Sequence, residues 1–376
     1  MPYWRLSGFY FFYFAAIGAL VPYFTLYLKS LGFSAPQIGE LMALLLLMRI
    51  VAPNIWGWIA DMRGRRMGVV RLAAFFAAVA FAGILLGTSF AWIAAVMLVF
   101  AFFRDACLPQ LEAATLSHLA GQSGQYARIR LWGSVGFIVV AVGLGLVLQQ
   151  LGTWWLLPST LALLTGVWAF TLVIPESPPR SPEPAVGLPR VIARPEVAGL
   201  LAACFLMQAS HGPYYTFYSI YLERFAYSKS MIGMLWAFGV VCEIGVFLIM
   251  HRVQARTRSR QILLASFVVA TARWLLIGYF PQQLAILLVA QALHGITFGA
   301  FHAAAIELVH RFFTGRHQVR GQAIYGSMGF GLGGALGSFY SGLSWMRIGA
   351  ADTFAIAAGL ALAAFCVAWF AIRRDP

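Results

Sequence analysis

Apolar residues run along this chain in long stretches, and polar residues gather in the short breaks between them. The stretches fall near residues 6–28, 37–60, 68–88, 91–117, 129–150, 153–174, 197–222, 230–251, 261–280, 283–312, 321–344 and 348–372. Each is long enough to cross a bilayer as a helix, which takes about 20 residues. The breaks carry turn or charge signals: Ser34-Ala35-Pro36, Asp61-Met62-Arg63-Gly64-Arg65-Arg66, Gly152 and Pro281-Gln282. The pattern predicts an all-α membrane protein of twelve transmembrane helices. Its first run, from Leu6 to Leu28, is too long for the apolar core of a cleavable signal and reads as a spanning helix.

Composition agrees. Charged residues make up 10% of the chain and apolar residues 61%, where a soluble domain carries roughly 25% charged residues. The net charge of +14 does not point to nucleic acid, because the basic residues are scattered over helix ends. They set the orientation instead. With the amino terminus inside, the inner segments hold 19 of the 26 lysines and arginines, the outer ones 4, and three lie within spans. Positive charge stays on the cytoplasmic side, so both termini are expected there, in a bacterial inner membrane. Cys107, Cys204, Cys242 and Cys366 each lie in an apolar run without CxxC spacing. They read as free thiols, and no metal or cofactor is called for.

One long polar stretch interrupts the pattern. Pro175 to Pro195 holds seven prolines, which stiffen a chain and remove helix donors. It is read as a cytoplasmic linker, 175–195, between a six-helix bundle over 1–174 and another over 196–376. The bundles repeat. Tyr27-Leu28, Ser34 and Ile38-Gly39 recur 194 residues later as Tyr221-Leu222, Ser228 and Ile232-Gly233. Trp132-Gly133-Ser134-Val135-Gly136-Phe137 recurs 193 residues later as Tyr325-Gly326-Ser327-Met328-Gly329-Phe330. Parallel repeats of this kind mark one class of secondary transporter, with the solute held near the midplane between them.

Ionisable side chains inside spans are costly and functional by default. The acids weighed are Asp105, Glu112, Glu243 and Glu307; the bases are Arg49, Arg104 and Arg273, with Arg130 at the cytoplasmic edge of the fifth span. Arg49 and Glu243 are 194 residues apart and so occupy equivalent places, as a structural ion pair or a gating latch. His294 and His302 lie mid-span, each a proton relay or a packing histidine. His211-Gly212-Pro213 should interrupt the seventh span, and broken helices line transporter sites. Tyr215 and Tyr218 follow, as solute contacts or as packing. Gly329-Phe330-Gly331-Leu332-Gly333-Gly334 spells GxGxxG, but it lies inside a span and not in the strand-to-helix loop a dinucleotide site needs.

Between the second and third spans, Gly57, Asp61, Gly64, Arg65 and Arg66 match the GxxxDxxGRR signature of the major facilitator superfamily. An Asp there can accept from a helix amino terminus of the other half, which makes the loop a gating element; the plain alternative is a positively charged inner loop. The equivalent second-half loop keeps its basic residues but has Ala255 at the Asp position. Further motifs resemble the lactose permease, phenylpropionate transporter and nucleoside:proton symporter group. They are Phe11-Phe12-Tyr13-Phe14 with Gly18 and Pro22; Pro109-Gln110-Leu111-Glu112; Tyr126 to Ser134; Ala272-Arg273-Trp274; and Leu293-His294 with Thr297-Phe298 and His302. The resemblance implies two pseudo-symmetric six-helix bundles. It implies solute binding by Glu112, Arg130 and Phe137, with Trp132 and Tyr23 as further candidates to pack on an aromatic ring; Tyr215 and Tyr218 remain candidates from their place after the break in span 7. It implies proton coupling or ion pairing by Glu243, Arg273 and His294; Asp105, Arg49 and Glu307 join them as candidates because they are ionisable residues within spans. The permease's acid three residues after its histidine is Thr297 here, and Gln291 stands at a basic position, so its mechanism does not transfer whole.

The expected protein is no enzyme. It is a monomeric transporter working by alternating access in the lipid bilayer, with a small-molecule solute and protons as partners and no nucleic acid. An aromatic carboxylate such as a phenylpropionate-like acid is the favoured solute. The alternatives are nucleoside or sugar:proton symport, and export of a drug or metabolite. A membrane-embedded enzyme or sensor would need a catalytic domain, and the loops are too short for one.

Overall fold

A computed structural model describes residues 2–119, 123–176 and 188–372. Residues 177–187 of the expected linker lie outside the described set. Among the described residues every regular element is helical. This is what a bilayer imposes, since each backbone N–H and C=O must be satisfied within its own segment. The spans, numbered in chain order, are Tyr3–Ser30, Ala35–Arg63, Arg66–Leu86, Phe90–Leu119, Ser123–Leu151 and Thr153–Val173. After them come a split seventh span, Pro195–Ser210 with Gly212–Arg224, then Lys229–Arg256, Ser259–Tyr279 and Leu284–Phe312. An eleventh span runs over 318–347, and Ala350–Ala371 is the twelfth.

Ten of these are long and apolar enough, by length and composition alone, to cross a membrane. The seventh falls short because it is cut at His211, and the eleventh because it is rich in glycine and polar residues. Leu188–Ile192 forms a short helix inside the stretch read from its prolines as a linker. Pro189 sits in its first turn, where a missing N–H costs nothing.

The chain divides into two compact units. One is Met1–Ser34, Leu47–Pro182 and Tyr227–Ala237; the other is Ala35–Leu46, Glu183–Ala226 and Phe238–Pro376. Spans 2 and 8 therefore each contribute to both.

The repeat is visible in the backbone. Gly32, in the turn after span 1, has φ +87°, and Ala226, 194 residues on, has φ +60°. The same turn is made twice, the second time by a residue whose Cβ resists it. In the first unit Gly18 lets span 1 close on span 5: a Cβ there would lie 2.6 Å from the Phe137 carbonyl oxygen. In the second unit Gly212, again 194 residues on, closes on Gly337 of span 11, with 2.2 Å to its carbonyl. Each unit also carries an arginine brace. Arg71 of span 3 donates to the carbonyls of Thr171 (3.1 Å) and Ile174 (2.7 Å) at the end of span 6. Arg260 of span 9 donates to the carbonyls of Ile372 and Trp369 at the end of span 12. Helix ends leave such carbonyls without partners, and a cation there also meets the negative end of the dipole.

Candidate functional site

In the first unit, span 4 presents two acids seven residues apart, on one face of the helix. The upper pair is Asp105 with Arg104. Arg104 Nε and Nη2 both donate to Asp105 Oδ1, at 2.9 and 2.7 Å. The pair is largely buried, with Tyr13 of span 1 within electrostatic reach of it, and Arg49 of span 2 within reach of Tyr13. The lower pair is Glu112 with Arg130 of span 5, Nε to Oε1 at 4.0 Å. It is a looser arrangement, and about a third of each side chain stays exposed. The Tyr126 hydroxyl donates to Glu112 Oε1 at 3.4 Å. Arg130 lies over the Phe14 ring at 3.8 Å and near Tyr10 at 5.7 Å. Tyr10 is fixed in turn by donating to Thr115 Oγ1 (3.4 Å), whose own hydroxyl donates to the Leu111 carbonyl. The tight crossing of spans 1 and 5, which brings Gly136 against the Phe11 carbonyl, sets Phe14 over Arg130.

The structure thus brings Glu112 and Arg130 within 4.0 Å of each other. The ring that meets Arg130 is Phe14, not Phe137; Phe137 is buried where Gly18 closes on it. Trp132 also points elsewhere: its Nε1 donates to the Tyr3 hydroxyl at 3.1 Å, beside Trp4. Tyr23 is buried and donates to the Ala141 carbonyl, a packing role.

In the second unit the centre is Arg273 of span 9, with 0% exposure. Its Nε donates to the Ala290 carbonyl (2.8 Å), Nη1 to Thr297 Oγ1 (3.0 Å) and Nη2 to Gln291 Oε1 (3.1 Å). All three acceptors are neutral. The guanidinium is sandwiched against Tyr214 and Trp274, 4.3 and 4.6 Å from the ring centroids. Tyr214 also donates to Gln291 Oε1, at 3.1 Å. The negative charge of the group is one helix away: Glu243 Oε2 lies 3.7 Å from His294 Nε2, and the His294 ring packs on Tyr214. The formally charged groups of this centre are thus the Arg273 guanidinium and the Glu243 carboxyl.

The break in span 7 builds this centre. Pro213 has no N–H to give, and Gly212 is pressed on Gly337. His211 sits in the gap, fully buried. Its Nδ1 donates to the Met207 carbonyl at 2.8 Å, and its ring stands edge-on to Trp274 at 4.8 Å. Tyr215 stacks on His211, and Tyr218 packs on Tyr214.

Other candidates lie apart from both centres. Glu307 pairs with Arg311 four residues on, at 2.9 Å, in a largely exposed bridge of modest worth. Asp61 Oδ1 meets Arg66 Nη2 of its own loop at 3.4 Å. Gly64 has φ +62° there, which explains that glycine. A Cβ on Gly57 would meet Gln110 only at ordinary contact distance. Sequence reasoning missed Phe14, Tyr10, Tyr126 and Tyr214 as site residues. Tyr126 had a signal, four residues before Arg130 on one helix. Tyr214 had one too, directly after Gly212-Pro213.

The family model described as MFS_1 like family matches residues 3–356. The probable 3-phenylpropionic acid transporter of Escherichia coli (strain K12) is 29% identical over 92% of this chain and 92% of that one. The maltose permease of Geobacillus stearothermophilus is 26% identical over 86% of this chain and 83% of its own length. Among solved structures, the nucleoside transporter NupG superposes with a TM-score of 0.86 at 18% identity, over the whole of both chains.

Proposed function

Because the chain belongs to the MFS_1 like family of membrane transporters, we propose that it carries a small organic carboxylate across the membrane together with a proton. The observation that carries this reading is the loose Arg130–Glu112 pair, 4.0 Å apart and partly exposed, with the guanidinium laid on Phe14. A guanidinium offers its donors as a fork that fits one carboxylate. Glu112 and the carboxylate of a solute therefore compete for Arg130. A proton on Glu112 removes its claim and frees the fork; a bound carboxylate makes that proton easier to hold. The two bindings help each other by the same factor in both directions. The pair enters as a neutral unit, which lowers the cost of moving it through the membrane interior. Phe14 and Tyr10 supply flat apolar faces next to the arginine, which suits an aryl group. The relative named for 3-phenylpropionic acid supports an aromatic carboxylate.

In the second unit Glu243 and His294 form the further coupling pair. A proton there unbalances the buried Arg273, and this change of charge can drive the conformational step. The arginine bias of the loops supports a plasma-membrane protein with both termini inside.

The test is uptake of 3-phenylpropionate into proteoliposomes under an imposed inward proton gradient. Accumulation that collapses when the gradient is dissipated is the expected result. Uptake indifferent to the gradient removes symport. Uptake of maltose or a nucleoside in place of 3-phenylpropionate moves the substrate to the sugar or nucleoside class.

A further inference from the structure

Two helices of the second unit are wound wide at one place each, and the two places meet. In span 10 the N–H of Phe301 reaches back five residues to the Ile296 carbonyl, and Gly295–Ala300 forms a π-helical turn. In span 11 the N–H of Gly334 reaches the Gly329 carbonyl in the same way, across Ser327–Gly333. A π turn is an α-helix holding one residue too many, and such bulges cluster at functional sites. Phe298 of the first segment meets Phe330 of the second edge-on, centroids 6.1 Å apart. His302 stacks on Phe298 and shares a 2.9 Å hydrogen bond, through Nδ1, with the hydroxyl of Tyr325, just before the second segment.

The span 10 segment starts at the residue after His294. It is also pressed onto span 8. A Cβ on Gly295 would lie 2.8 Å from the Cys242 carbonyl, and one on Gly299 would lie 3.4 Å from Glu243 Cγ. One end of the segment thus borders the Glu243–His294 pair, and the other borders the His302–Tyr325 bond.

We propose that the two π segments are a register switch through which the Glu243–His294 pair moves spans 10 and 11. A surplus residue in a helix can be passed along it. Passing it one step toward the amino-terminal end of span 10 turns His294 about 100° round the axis, off Glu243. The same shift rewinds the turn that carries Phe298, and so changes how Phe298 seats between His302 and Phe330, so span 11 must answer. His302 and Tyr325 act here as positioning residues, since their part is to link the two helices. The switch rests on the reading of Glu243 and His294 as a coupling pair, and the experiments separate the two.

Deleting one residue restores α winding and leaves the phase of both flanks unchanged. Ile296 and Leu332 are suitable, because neither side chain enters the contacts described. Each deletion chain should be monodisperse and bind 3-phenylpropionate within about threefold of the parent, yet transport it at least about tenfold more slowly in proteoliposomes. Parent-like transport by either chain overturns the switch. Hydrogen exchange decides the matter if a deletion chain fails to fold. In the full-length protein, Glu243→Gln imitates the protonated pair. Amide exchange over 295–300 and 327–333 should then change about tenfold, with the flanking turns of both helices unchanged. Exchange unaltered in both segments overturns the switch. If the parent binds no 3-phenylpropionate, only the substrate reading fails, and the exchange comparison still decides. Parent-like proton-driven uptake by Glu243→Gln removes the coupling reading, while the deletions still report on the winding.

Discussion

Arg130 shows why residue type matters more than charge at this site. Lysine in its place keeps the charge but loses the fork and the flat face that lies on Phe14. Arg130→Lys should weaken 3-phenylpropionate binding at least about tenfold, measured by thermal shift or calorimetry. Glu112→Gln should act in the opposite sense on coupling: binding becomes independent of pH, and uptake against a gradient is lost while exchange persists. A Glu112→Gln protein that still accumulates solute under a proton gradient would rule Glu112 out as the competing acid. Arg273 is a different case. It is fully buried, and Arg273→Met removes its donations to the Ala290 carbonyl, Thr297 Oγ1 and Gln291 Oε1. Hydrogen bonds to a charged group contribute about 1.5–3 kcal/mol each, so the variant should show a lowered Tm even without solute. Much of this chemistry was legible in the chain. Glu112, Arg130, Arg273 and His294 announce themselves as ionisable residues in apolar runs. Phe14, Tyr10 and Tyr214 do not, because an aromatic in a membrane helix is unremarkable until its neighbour is known. Phe137 and Trp132 were expected at the solute from the family resemblance; Phe137 packs where Gly18 closes on it, and Trp132 donates to the Tyr3 hydroxyl.

At the scale of the element, the helices follow from hydropathy while their irregularities follow from packing. The cut in span 7 was readable from His211-Gly212-Pro213. The π turns in spans 10 and 11 were not, because an extra residue in a helix leaves no mark on hydropathy, and Gly329 to Gly334 read as simple close packing. Two substitutions test the element-level account. Gly212→Ala sets a Cβ 2.2 Å from the Gly337 carbonyl. No flexible side chain is there to yield, so Tm should fall and transport with it; overpacking typically costs about 1–3 kcal/mol. Ala226→Gly should do the reverse. Glycine accepts φ +60° without strain, so Tm should rise, by about 1 kcal/mol of stability, with uptake unchanged. A fall in Tm for Ala226→Gly would mean that the turn is not strained.

At the scale of the molecule, the arginine distribution makes a topological prediction. In a chain freed of its four cysteines, a cysteine at Thr257 should be labelled only from the cytoplasmic side and one at Ser228 only from outside. Reversed labelling would overturn the orientation. The twelve-span plan and the internal repeat were legible because membrane insertion is governed by hydropathy and charge. The compact units were less so: spans 2 and 8 divide between them at Leu46–Leu47 and Ala237–Phe238, and no composition change marks either place.

The arginine braces bear on how the protein is made. Arg71 and Ile174 are 103 residues apart, and Arg260 and Ile372 are 112 apart. Each brace ties the third span of a half to the end of its sixth, and neither reaches into the other half. Synthesis delivers the chain from its amino terminus, and domains generally consolidate as units while it proceeds. The first brace can therefore close as soon as residue 174 has left the ribosome, before the second half exists. The second brace likewise needs only residues of its own half.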